Sequence, residues 1–279
     1  MTARLIAVGQ MTATSDVEEN LRTSARLVNE AKERGATLLS LPECFAFIGE
    51  KDTDLLGFMR PLDDELVARY RQLAREHGLW LSLGGFQERA GDGQRANNAH
   101  LLVDDQGEVR RVYRKLHLFD VDLPDGTQLK ESKATAPGDE IVVEDSPAGR
   151  LGLSVCYDLR FPELYLSMRG LGADVLLVPA AFTATTGKAH WETLLRARAI
   201  ETQCYVAAAA QFGRHNARRE SHGNAMIVDP WGAVVARCGE GTGVAVAAVD
   251  LDYLADVRRR IPVMEHRRPE VYGDVGPRR

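Results

Sequence analysis

The sequence predicts an α/β protein in which two mixed β-sheets pack face to face with helices on the outside. Short apolar runs alternate with amphipathic stretches early in the chain, and several strands then follow one another toward the C-terminus. That change of pattern suits two packed sheets. No Pro/Gly/Ser-rich linker, repeat or low-complexity tract divides the 279 residues, so 1–279 reads as one domain. With 44% hydrophobic residues it can bury a sizeable core.

Each element has a local signal. Residues 4–10 are a short apolar strand. Ser15 and Glu18 form a capping box for a helix that ends before Gly35. Residues 37–41 are an apolar strand that delivers Glu43, 63–77 an amphipathic helix stopped by Gly78, and 79–86 the next strand. Residues 98–104 and 108–113 pair as a hairpin around Gln106-Gly107, with Lys115 leaving its far end. Residues 124–138 form a long polar loop, a kind of connection that tends to be functional or disordered. The run from Leu151 to Val155 is a strand buried on both faces, and Pro162 suits the first turn of a helix. Strands follow at 175–178, 205–210, 225–229, 234–237 and 244–249, with a long helix at 188–202. Arg258-Arg259-Arg260 reads as a helix C-terminus meeting its dipole.

Chemistry is expected at Cys156, where an apolar strand gives way to polar residues at a strand-to-helix elbow. A thiol there would feel the positive end of the helix dipole, which favours the thiolate. A lone cysteine is as often a small buried hydrophobe, and that segment alone suits both readings. Glu43 and Lys115 taken singly are most simply solvated charges. Together the three offer acyl transfer without histidine: Glu43 takes the thiol proton, Cys156 attacks a carbonyl carbon and Lys115 holds the oxyanion. The backbone N–H of Tyr157, just after the nucleophile, is a second oxyanion donor.

Leu41-Pro42-Glu43, Tyr113-Arg114-Lys115-Leu116-His117 and Ser154-Val155-Cys156-Tyr157-Asp158-Leu159-Arg160-Phe161-Pro162-Glu163 resemble the three signatures of the nitrilase superfamily of carbon-nitrogen hydrolases. The resemblance runs over nearly the whole chain. It implies a four-layer αββα sandwich and hydrolysis of an amide through a thioester on Cys156. It adds Glu131 as a second glutamate assisting the set, and Phe182 and Thr186 as wall and hydroxyl of the acyl pocket. The stretch 207–215 and Glu265-His266-Arg267-Arg268-Pro269 are most similar to the branch acting on deaminated glutathione. A primary amide would then yield a carboxylate and ammonia. Arg160, four residues beyond Cys156, is the candidate clamp for a substrate carboxylate, with an ion pair to Asp158 or Glu163 as its other reading. Rival readings are an ω-amidase on 2-oxoglutaramate-type amides, an N-carbamoyl-amino-acid hydrolase, and an idle binding or scaffold protein of the same fold.

A net charge of −5 with dispersed basic residues suggests neither a nucleic-acid nor a membrane partner. Cys44, Cys156, Cys204 and Cys238 show no C-x-x-C spacing, and His100, His117, His190, His215 and His222 form no metal-binding pattern. No metal and no organic cofactor are expected. The N-terminal apolar run is too short for a signal peptide, which together with reduced thiols points to the cytoplasm. The expected assembly is a homodimer or higher homo-oligomer packed around residues 188–202, with the tail from about 262 to 279 at its interface.

Overall fold

Burial along the first strand, Arg4–Met11, shows the layering directly. Ile6 and Val8 join one apolar cluster while Ala7 and Met11, pointing the other way, join a second. The computed structural model describes residues 4–51, 53–122 and 128–273. In the first sheet this strand is central. It pairs in parallel with Leu38–Leu41 and antiparallel with Gly243–Val249, and the sheet continues through Trp80–Arg89 and Ala96–Val103 to Val109–Arg114. The second sheet runs Val234–Arg237, Met226–Val228, Tyr205–Ala208, Val175–Leu177, Gly149–Leu153, Val143–Ser146.

The cluster holding Ile6 and Val8 also holds Leu151, Leu153, Val175 and Leu177, so the two sheets face each other across it. It extends to Met168 and Leu195 on the helices Pro162–Gly170 and Ala184–Thr202. The cluster holding Ala7 and Met11 reaches Leu27 and Tyr70 on the helices Val17–Glu33 and Glu65–His77. Four layers result, α, β, β, α, as expected. Where the sheets meet, Gly84 has no room for a side chain: a Cβ there would lie 2.0 Å from that of Pro179.

Several elements differ from the sequence expectation. The first helix is capped by Asp16 rather than Ser15, since it is the Asp16 carboxylate that accepts from Glu19 N. The long helix starts at Ala184 instead of 188, because the Thr183 hydroxyl caps it. The strand expected at 205–210 is two strands: Tyr205–Ala208 lies in the second sheet, whereas Ala210–Arg214 pairs with Gln10 and Met11 of the first. The chain crosses between sheets there. Of the loop expected at 124–138, residues 124–127 lie outside the described residues. The remainder carries strand Gln128–Lys130, a short 3-10 turn at Glu131–Lys133 and strand Thr135–Ala136. Arg258–Arg260 do end a helix, Leu251–Arg260, though Arg258 also ties it to Ala173 O and Asp174. Of the tail, 274–279 lie outside the described residues, and Pro269–Tyr272 is a short helix. Among the described residues no helix is long and apolar enough to cross a membrane.

Candidate active site

Three chain segments leave the C-terminal ends of strands in the two facing sheets and carry the expected residues together. Glu43 follows Leu38–Leu41 and is 4% exposed. Gly85, at φ +73°, leaves it room, since a Cβ there would lie 2.8 Å from Glu43 Cγ. Lys115 follows Val109–Arg114, is 2% exposed, and its N–H donates to Asn98 O at 3.0 Å. Cys156 follows the strand from the opposite sheet, with its N–H bonded to Pro179 O at 2.9 Å. At φ +49° it is a non-glycine residue in the left-handed region, a costly conformation that persists where surrounding structure enforces it.

The Lys115 ammonium donates to Glu43 Oε1 at 3.1 Å and to the two oxygens of Glu131 at 3.0 and 2.9 Å. Glu43 Oε2 accepts from Ala181 N at 3.0 Å, and the Cys156 thiol lies close enough to its carboxylate to help lower it. Burial by itself would raise the Glu43 carboxyl, but Lys115 and these hydrogen bonds outweigh it and hold it below the ordinary glutamate value. Burial would likewise lower Lys115, yet Glu131 and Glu43 carry it well above the usual lysine range. A base and a fixed cation therefore flank the sulfur.

The thiol itself departs from expectation. Cys156 is 9% exposed, and burial together with the neighbouring Glu43 charge pushes it well above the ordinary cysteine value. The helix proper begins only at Pro162, with the 3-10 turn Cys156–Arg160 between, so its dipole reaches the sulfur weakly. A protonated thiol beside an ionised glutamate takes the place of the resting thiolate.

The resemblance-based Glu131 is brought in fully, anchored by Phe119 N at 2.6 Å. Tyr157 opens the turn after Cys156, its ring edge-on to Phe119 and Phe161. Arg160 forms no ion pair with Asp158 or Glu163. Its guanidinium carbon lies 5.7 Å from the Tyr157 ring and 5.5 Å from the Phe182 ring, with Nη1 3.3 Å from His190 Nδ1. Phe182 also packs against the Trp191 ring, with centroids 4.9 Å apart. The Thr186 hydroxyl is bonded to that of Thr183 at 2.9 Å, within the helix cap.

Two residues escaped the sequence reading. Asn98 Nδ2 donates to Glu43 Oε1 at 2.8 Å and to Glu131 Oε1 at 3.3 Å. A polar residue buried at the end of a strand that turns apolar at Leu101–Val103 was its signal. Asp158, fully buried, accepts from Tyr113 OH at 2.7 Å, Val155 N at 2.8 Å and His117 N at 3.1 Å. It ties the segment after Lys115 to the Cys156 elbow. Two of the histidines serve elsewhere, His100 between Ser82 and Ser154 O and His215 between Ala13 O and Ser221. Among the described residues no three His, Cys, Asp or Glu side chains are grouped as metal ligands.

Comparison with known proteins agrees with this geometry. A family model described as carbon-nitrogen hydrolase matches residues 5–259. The chain is 52% identical over 276 residues to deaminated glutathione amidase of Homo sapiens, covering 98% of this chain and 84% of that one. It is 43% identical to the protein of the same name from a Synechocystis strain, covering 96% and 99%. The crystal structure of Caenorhabditis elegans NitFhit superposes with a TM-score of 0.92 at 48% identity; the match covers 97% of this chain and 66% of that longer one. A mutant amidase from a Nesterenkonia species, at TM-score 0.79 and 28% identity over 96% of this chain and 95% of its own, carries the acetamide moiety of fluoroacetamide covalently on its active-site cysteine. Fold, motif order and convergent side chains all lead to one placement: the chain belongs to the carbon-nitrogen hydrolase family.

Proposed function

We propose that this protein is an amidase that hydrolyses deaminated glutathione through a thioester on Cys156. The observation that carries the chemistry is the convergence of Glu43, Lys115 and Glu131 on the buried Cys156 thiol. The substrate rests on 52% identity to a relative of that name. Both amides of glutathione are secondary, and removing its amino group leaves them so. The scissile bond is then the one joining the 2-oxoglutaryl group to cysteinylglycine, and the leaving group is an amine in place of the ammonia expected from a primary amide.

In the first step the Cys156 Sγ–H proton passes to Glu43 as sulfur bonds to the amide carbon. The carbonyl oxygen becomes an oxyanion, facing the Lys115 ammonium and the Tyr157 N–H. Collapse breaks the C–N bond, and Glu43 returns its proton to the departing nitrogen. Water then attacks the thioester carbon with Glu43 as base, releasing 2-oxoglutarate and restoring the thiol. Glu131 stays bonded to Lys115 and helps keep it charged throughout.

The rival ω-amidase substrate, 2-oxoglutaramate, shares the 2-oxoglutaryl part and differs in its leaving group. Purified protein should turn over deaminated glutathione with the higher kcat/KM, releasing 2-oxoglutarate and cysteinylglycine. Preference for 2-oxoglutaramate with release of ammonia, or for an N-carbamoyl amino acid, would overturn the substrate. Silence on all three, with a Cys156 inert to iodoacetamide, would leave a binding or scaffold protein.

Arg160 supplies the specificity side of this reading, its guanidinium held between two aromatic faces at the rim. Arg160→Lys should raise KM for deaminated glutathione, because an ammonium does not reproduce the bidentate fork. Alkylation of Cys156 by a small neutral reagent should be unchanged. Equal loss of both would make Arg160 scaffold and leave the carboxylate anchor elsewhere.

We further propose that 1–279 acts as one domain and as a homodimer in the cytoplasm. Four free thiols suit a reducing compartment. Ile200 on the helix Ala184–Thr202 and Trp231 on the adjacent turn are exposed large apolar side chains, which suits a dimer face there. Ile200→Glu should convert a dimer to monomer in light scattering, whereas a dimer that persists would move the interface off this helix.

A further inference from the structure

Glu43 and Glu131 are joined twice, once through a cation and once through a neutral amide. Lys115 Nζ bonds Glu43 Oε1 at 3.1 Å and Glu131 Oε1 at 3.0 Å. Asn98 Nδ2 bonds the same two oxygens, at 2.8 and 3.3 Å. Carboxylate, amide, carboxylate and ammonium thus close a ring in which acceptors and donors alternate. From this ring we infer that Asn98 is a positioning residue of the amidase chemistry, holding Glu43 ionised and aimed at Cys156. The inference rests on the proposed role of Glu43 and adds a residue to it.

Strand geometry puts Asn98 there. Leu102, His100 and Asn98 step at period two along the inner face of Ala96–Val103: Leu102 enters the core between the sheets, and His100 reaches Ser154 O of the facing sheet at 2.9 Å. Asn98 comes last, at the site, 8% exposed. Its own carbonyl accepts from Lys115 N, so one residue locates both the lysine and the glutamates. The amide orientation follows from its partners, since turning it would set its oxygen against two carboxylates that accept and cannot donate. Its Oδ1 is buried without a protein partner and faces Gly85, where a Cβ would lie 2.8 Å away.

The physical reason for an amide is charge. The ring has two carboxylates and one ammonium, and a cation in place of the amide would add to the Lys115 and Arg219 charges that already lower Glu43. A neutral donor favours the ionised form by one hydrogen bond without cancelling its charge. The other groups facing Glu43 are Cys156 from the elbow, Cys44 next in the chain and Arg219 from the segment joining Ala210–Arg214 to Glu220–His222.

The test is the pH dependence of Cys156 alkylation by iodoacetamide in Asn98→Leu and Asn98→Asp, beside wild type and Glu43→Gln. This readout needs no amide substrate. With the donor gone, the acid limb should move up by roughly one unit or more, so the rate at a fixed pH on that limb should fall about tenfold or more. Asn98→Asp keeps the shape and should act in the same direction by adding a third carboxylate, which covers the case in which the leucine variant does not fold. An acid limb unmoved in a folded variant would overturn the inference. Loss of that limb in Glu43→Gln reports separately on Glu43, and a limb unchanged there would remove the role of Glu43 itself.

Discussion

Changing Cys156 to alanine should abolish amide turnover, on the order of 10⁴-fold or more in kcat, while the protein melts within a few degrees of wild type. The two halves of that expectation have separate causes. The Cys156 sulfur is the atom that forms the proposed thioester, so removing it leaves water to attack an amide unaided. The fold loses little, because the elbow is held by Cys156 N to Pro179 O and by the Asp158 bonds, and these are untouched. Alanine meets the same left-handed φ of +49° that cysteine already meets, so backbone strain is unchanged. Retained turnover in pure Cys156→Ala protein would sink the covalent mechanism. Alanine at Cys44, Cys204 or Cys238 should each keep turnover. Burial pushes Cys44 and Cys238 up to about 12 and raises Cys204 as well. A large loss at one of them would move the nucleophile.

The second large effect belongs to charge. Glu43→Gln should lower kcat by at least about a hundredfold, since it removes the ionised carboxylate beside the thiol. Glutamine also disturbs the ring: one end of its amide must present N–H to donors, either Ala181 N or the Asn98 and Lys115 pair. Lys115→Met should lose a similar factor through the oxyanion. It should also destabilise the fold, because Glu43 and Glu131 would share a buried site without their cation, a loss of about 3–5 kcal/mol for a buried pair broken on one side. The double change Lys115→Met with Glu131→Gln separates the two effects. Stability should return in part and activity should not. Near-normal kcat in Glu43→Gln or Lys115→Met would make that residue a structural charge.

How much of this was legible beforehand follows from the range of each interaction. The strands at 4–10, 37–41 and 79–86, the hairpin carrying Lys115 and the helix opening at Pro162 were all readable from the sequence, because alternation, capping and turn chemistry act over a few residues. Glu43, Lys115 and Cys156 were readable from short motifs at the ends of apolar runs. Misreadings arose where a choice lay between neighbouring groups, as with Asp16 in place of Ser15, or where a strand changed partner. Tyr205–Ala208 and Ala210–Arg214 look continuous in sequence, and only the two sheets they join divide them. What the tertiary structure decided is the state of the site. The sequence placed a helix dipole near Cys156 and so pointed to a thiolate; the fold buries the sulfur beside Glu43 and keeps its proton on. Asn98 sits 55 residues from Glu43, and Lys115 sits 72 from it. No local pattern encodes a ring of that span, because its electrostatics exist only once separate strands have removed water from around four side chains.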